Sequence, residues 1–253
     1  MLDPAQRVST LRRSWRALRA VVHLLRGLAI TTFVFPRAAR ERRRAHIRTW
    51  SAELLALLAV EARIGGELCV DGNVVYVANH ISWLDIFVLN ACSPARFVAK
   101  SELASWPLAG RLIRDTGTIF IERARKADTR RVNAMAREAL SSGDILAVFP
   151  EGTTTDGTTL GRFHGSLLQP VIDSAGRVQP LALRYTYSDG APSLAPEYVG
   201  DTSFARSFWR ICGARGHIVE VTAHAPMAAS PHTRRALAAQ AEAVIRRSLA
   251  LSE

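Results

Sequence analysis

The hydrophobic rhythm of the chain changes near residue 65. Before it, Ala20–Phe35 is an apolar run broken by His23 and Arg26, shorter than the roughly 20 residues a membrane-spanning helix needs. After Pro36 the Arg-rich stretch "RAARERRRAHIRTW" leads into "SAELLALLAVEARIGG". Helical spacing of its apolar positions, closed by Gly65-Gly66, predicts an amphipathic helix. From Leu68 onward short strand-like runs alternate with helical ones. Strands are predicted at 68–70, 74–78, 95–100, 118–122, 145–149, 178–187 and 216–225. Helices are predicted at 82–92, 108–117, 128–143, 166–176 (interrupted at Pro170) and 230–251, and a surface loop at 187–200 with Pro192 and Pro196. This alternation predicts a layered α/β domain over 65–253, preceded by a helix pair within 1–64.

The 253 residues, 48% hydrophobic, suffice for one sizeable core and are marginal for two. The formal net charge of +11 is concentrated: residues 1–50 hold twelve arginines against Asp3 and Glu41. Arginine so outnumbers lysine (only Lys100 and Lys126) that a GC-rich genome accounts for much of the bias. The basic, apolar N-terminal helices suit an interfacial anchor, with arginines at anionic headgroups and Trp15, Trp50 and aliphatics in the acyl boundary. A true span with a snorkelling Arg26 and a helix pair packed on the core are the alternatives. A nucleic-acid surface is disfavoured, because no fold signature or aromatic-interleaved basic motif accompanies the arginines. Cys69, Cys92 and Cys212 are scattered, which argues against a disulfide framework and points to a reducing compartment. No secretory cleavage site follows the apolar segment.

Ligand sites of α/β sheets gather at the carboxyl ends of strands. Three polar clusters fall there: Asn79/His80/Asp85 after "VVYVA", Glu122/Arg123 after "TIFI", and Glu151-Gly152-Thr153 after "ILAVFP". Asp85 can accept from one imidazole nitrogen of His80 and leave the other free as a base. On spacing alone, His80 serving only to satisfy a turn and Asp85 only to start a helix is equally tenable. Two ligands are too few for a metal. Ser82 lacks the glycine-flanked turn of a nucleophilic serine and reads as a helix N-cap. Arg123 suits bidentate phosphate binding, or an exposed salt bridge.

Four blocks, in order over Val74–Tyr185, resemble the glycerolipid acyltransferase family, whose best-known members are bacterial 1-acylglycerol-3-phosphate acyltransferases. They are "NHISWLD" (His80, Asp85), "GTIFIER" (Arg123), "FPEGT" (Phe149–Thr153) and "VQP" (Pro180). The resemblance implies an αβα domain with a mixed sheet and no cofactor or metal. His80, oriented by Asp85, deprotonates a lysolipid hydroxyl for direct attack on the thioester of acyl-CoA or acyl carrier protein. Arg123, Glu151, Gly152, Thr153 and Thr154 hold the acceptor headgroup, and Asn79 and Pro180 serve structure or the donor side. It further implies 1-acylglycerol-3-phosphate as acceptor, giving phosphatidic acid, and work at the cytoplasmic face of a bacterial inner membrane carrying anionic lipids. One departure changes the picture. Phosphatidate-forming members carry arginine where this chain has Thr154, and Phe163-His164-Gly165 stands where relatives have Phe-Lys-x-Gly. A lost charge-assisted contact costs on the order of 1.5–3 kcal/mol, enough to move preference to lyso-ornithine lipid or another lysolipid. A non-catalytic membrane scaffold is the rival of another class; it has no need of both His80 and Asp85.

Overall fold

The computed structural model describes residues 6–122 and 126–251. Its core is an eight-stranded mixed sheet. The strands are β1 (Val60–Gly65), β2 (Val74–Ala78), β3 (Arg96–Lys100), β4 (Ile119–Ile121), β5 (Ile145–Val148), β6 (Arg177–Thr186), β7 (His217–Ala223) and β8 (Met227–Ala228). Their order is β1-β7-β6-β2-β5-β3-β4, with β8 paired to β6. All pairings are parallel except those of β6 with β7 and with β8. The carboxyl ends of β2, β5, β3 and β4 therefore share one edge of the sheet.

Every residue of β2 and β5 is buried, which is why both read as continuous apolar runs rather than alternating ones. Successive side chains enter opposite cores. Val74, Tyr76 and Ala78 join Leu54, Leu58, Leu89 and Ile211 on one face; Val75 and Val77 join Val132, Val171 and Leu237 on the other. The first core lies under α2 (Arg40–Leu57), α3 (Asp85–Cys92) and α7 (Phe204–Cys212), the second under α5 (Lys126–Ser141), α6 (Gln169–Asp173) and α8 (Arg234–Ser248). This is the expected αβα sandwich.

Three local expectations differ. The helix predicted to run to Gly65 stops at Leu57, and Val60–Gly65 is a strand paired with β7 over six residues. Only Val60 of that edge strand is buried, so tertiary pairing overrides a weak local pattern. Leu68–Val70 is not a strand: the Gln179 side chain accepts from Cys69 N at 2.9 Å and donates to Glu67 O at 2.8 Å, replacing a ladder. Pro170 opens α6 rather than breaking it, as proline does in a first turn. Helix α7, nine residues started by a Ser203 cap, lies in a stretch without an assigned element.

The N-terminal helix α1 (Thr10–Ala29) continues through a π turn to Val34 and a 3₁₀ turn to Arg37. It packs its inner face on the domain. Arg16 donates to Cys212 O and Ala214 O at 3.3 and 2.5 Å, and Arg13 to Trp209 O at 2.8 Å while lying 4.2 Å over that indole. These arginines satisfy the C-terminal carbonyls of α7 rather than lipid headgroups. Trp50 also turns inward: its ring stacks 4.6 Å from His23, and the two residues exchange side chain to backbone hydrogen bonds. The outer face keeps Leu11, Trp15, Leu18, Val22 and Leu25 exposed, beside a row of exposed arginines at 12, 19 and 26. Residues 10–37 are long and apolar enough to cross a membrane.

Candidate active site

The loop leaving β2 is held from several directions. Asp85, first residue of α3 and fully buried, accepts four hydrogen bonds. Ile81 N, Ser82 N and His80 Nδ1 donate to its Oδ2 at 2.8, 3.0 and 2.8 Å, and Tyr185 OH donates to Oδ1 at 2.6 Å. The carboxylate offers His80 only acceptor oxygens. Charge and geometry together fix the Nδ1–H tautomer of His80 and leave the Nε2 lone pair as acceptor. Nε2 has no partner among the described residues, and the side chain is 19% exposed. The imidazole lies flat on Phe149, centroids 4.0 Å apart. Its backbone N donates to Glu151 Oε1 at 2.7 Å and its O accepts from Thr155 N at 2.8 Å. The imidazole is thus held fixed with Nε2 accessible, an arrangement able to take a proton.

Beside it, β5 delivers the Glu151–Thr154 turn, which Gly152 closes at φ +78°, a conformation that favours glycine. Glu151 is almost fully buried; its second oxygen accepts from Gly161 N at 2.7 Å. Both oxygens are thus committed to backbone N–H groups, and the residue braces the His80 loop instead of facing a headgroup. Burial pushes its pKa up to about 7, against the two N–H bonds that favour the carboxylate. The Thr154 hydroxyl donates to Tyr198 O, pinning the 187–200 loop, which is fastened again by Tyr198 N to Ile81 O at 3.0 Å. Thr153 is exposed and lines a cleft of about 700 Å³ together with Gly152.

Asn79 is a structural clamp: it accepts from Leu183 N at 2.8 Å and donates to Leu183 O at 3.0 Å, locking β2 to β6. Pro180 sits opposite Val77, between the β6 positions paired to β8 and those paired to β7, where its missing N–H costs no ladder bond. Arg123 lies outside the described residues. Strand β4, which ends at Ile121, is at the sheet edge, separated from β5 by β3. Ser82, buried, accepts from Leu84 N at 3.3 Å and is a turn residue. Tyr185 and Phe149 were missed as site residues. Phe149 opens the "FPEGT" block, whereas Tyr185 lies five residues past Pro180 and only strand order brings it to Asp85. Among the described residues no group of His, Cys, Asp and Glu is arranged to hold a metal.

The sequence model of the Acyltransferase family matches residues 60–184. A lyso-ornithine lipid O-acyltransferase of Pseudomonas aeruginosa is 34% identical over 96% of this chain and 95% of its own length. The chain belongs to the acyltransferase family. A 1-acyl-sn-glycerol-3-phosphate acyltransferase of Neisseria gonorrhoeae is 36% identical over 66% of each chain. The crystal structure of a 1-acyl-sn-glycerophosphate acyltransferase from Thermotoga maritima superposes with a TM-score of 0.67 at 21% identity, over 93% of this chain and 96% of that one, which shows a common fold. The acyltransferase match begins at the residue where the sheet begins.

Proposed function

We propose that this acyltransferase esterifies the free hydroxyl of a lysolipid, with lyso-ornithine lipid preferred over 1-acylglycerol-3-phosphate. His80 Nε2 takes the hydroxyl proton as the oxygen attacks the thioester carbonyl. The C–S bond of the tetrahedral intermediate then breaks, and the imidazolium returns the proton to the departing sulfur. The products are an ester and a free thiol. Asp85 stabilises the imidazolium, a base contribution of about 10²–10⁴-fold. The observation that carries the acceptor choice is Thr154. At the position expected to hold a phosphate-binding arginine, this chain has a hydroxyl already spent on Tyr198 O. The near full-length similarity to the Pseudomonas enzyme supports the same reading.

The outer stripe of α1, Leu11 to Leu25, beside its arginine row, suits the surface of an anionic membrane, where the lysolipid resides. The cytoplasmic face of a bacterial inner membrane fits that placement.

A second reading, 1-acylglycerol-3-phosphate as acceptor, is favoured by the Neisseria relative. An acceptor panel with labelled acyl donor separates the two. Acylation of lyso-ornithine lipid at kcat/KM at least about tenfold above lysophosphatidate supports the first reading, about one lost charged contact. The reverse order overturns it.

A further inference from the structure

We infer that the cleft between the Glu151–Thr153 turn, the Arg162–Ser166 turn and the start of α8 is the binding site for the phosphate groups of the acyl donor's coenzyme A moiety. This rests on the acyltransferase reading and goes beyond it, because neither the sequence blocks nor the acceptor argument uses Arg162, Arg234 or Arg235. The cleft holds about 700 Å³ and is lined by Arg162, Arg234, Arg235, His164, Thr153 and Ser166, among others. All six are exposed. The three arginine side chains have neither a hydrogen bond nor an ion pair among the described residues. The one acidic residue in the lining, Glu151, has turned both oxygens into backbone N–H groups and neutralises none of them.

Several arginines elsewhere have carboxylate partners: Arg26 with Glu53, Arg96 and Arg40 with Asp144, Arg177 with Asp71. What sets the cleft apart is that three guanidinium groups without a carboxylate partner among the described residues line one concavity, where they repel one another until an anion enters. Two of the three occupy the first turn of α8, which has no acidic residue and where the helix dipole disfavours positive charge. That placement lowers stability and is relieved by a bound phosphate.

The charge count selects the ligand. Lyso-ornithine lipid offers one carboxylate and one ammonium, too little negative charge for three arginines. The nucleotide end of coenzyme A carries a diphosphate and a 3′-phosphate. Its location also fits. The cleft wall is the turn whose Glu151 holds His80 N at 2.7 Å, and the long pantetheine arm lets the thioester reach the imidazole while the phosphates stay outside.

The test is the Arg234→Gln/Arg235→Gln double variant of the full chain, read by equilibrium binding of free coenzyme A and by KM for acyl-CoA and for whichever lysolipid is acylated. The expected result is coenzyme A binding weakened about tenfold or more, with donor KM raised in step and acceptor KM unchanged. The charge-retaining Arg234→Lys/Arg235→Lys variant should recover much of the loss. Unchanged coenzyme A binding, or a rise confined to acceptor KM, overturns the assignment. So does a wild-type protein that binds no coenzyme A while its KM for acyl-[acyl carrier protein] depends on these arginines; the occupant is then an acidic carrier protein. Because coenzyme A binding is read without turnover, a wrong acceptor choice leaves this result standing, and a wrong donor site leaves the acceptor panel standing.

Discussion

The loop after β2 and the cleft before α8 handle charge in opposite ways. Asp85 is buried under four donors, and His80 is fixed by its partner, by stacking and through both backbone groups. The arginines of the cleft stand exposed, without partners among the described residues. The difference is what the two proposed roles require. A proton-transferring group has to hold its geometry before the substrate arrives, so the fold supplies its counter-charge. A phosphate site works when the ligand supplies the counter-charge, so satisfying it in advance would weaken binding.

Removing groups from the first region should therefore cost far more than removing them from the second. The largest effect is expected for His80→Ala: kcat falls by about 10³-fold or more, while the melting temperature moves little, because the side chain is partly exposed and Asp85 keeps three donors. A variant retaining a tenth of the activity would move the base elsewhere. Next comes a buried group left incompletely satisfied. His217 accepts from or donates to Ser193 Oγ at 2.7 Å, but its Nε2 is buried without a partner. Burial, with Arg16 and Arg210 adding to it, pushes its pKa down to about 4. A depressed pKa means the unfolded chain binds the proton first. The stability this residue contributes is complete above about pH 6.5 and is lost as pH falls toward 4, about 3 kcal/mol in all. Denaturant titrations at pH 7.5 and 4.5 read that loss, and His217→Gln should flatten it. An identical slope in the variant would assign the acid sensitivity to other groups.

Smaller again is Tyr185→Phe, which deletes one of the four bonds to Asp85 and should lower kcat about tenfold with donor and acceptor KM unchanged, roughly the weight of one hydrogen bond to a charged group. A change in KM alone would take Tyr185 out of the proton-transfer network. The smallest stability effect belongs to the cleft. Arg234→Gln/Arg235→Gln should leave the melting temperature unchanged or slightly raised, since surface substitutions stay within about 0.5 kcal/mol and the helix start loses an unfavourable charge. A clear destabilisation would mean these arginines are structural.

Helix α1 shows how far the sequence could be read. The apolar run at 20–35 and the clustered arginines were plain, but the start of the helix at Thr10 and its exposed stripe from Leu11 to Leu25 were not. That Arg13 and Arg16 would turn inward to the carbonyls of α7 was not, because the partners lie 196 to 198 residues away. Strand β1 was lost for the same kind of reason. It buries one residue, and its identity comes from β7, far along the chain. Glu151 was legible as important but not in its role; nothing in "FPEGT" says that both carboxylate oxygens point at backbone.

The sequence by itself determined the alternation of strands and helices, the apolar runs of β2 and β5, and the spacing that puts Asp85 within reach of His80, because each depends on neighbours within about one turn or one strand. Tertiary structure decided which distant groups complete them. It put Tyr185 on Asp85, braced His80 with Glu151, set β4 two strands away from β5, and brought Arg162 to the first turn of α8. Such contacts are set by strand order and layer packing, and a side chain one hundred residues away leaves no trace in the local pattern.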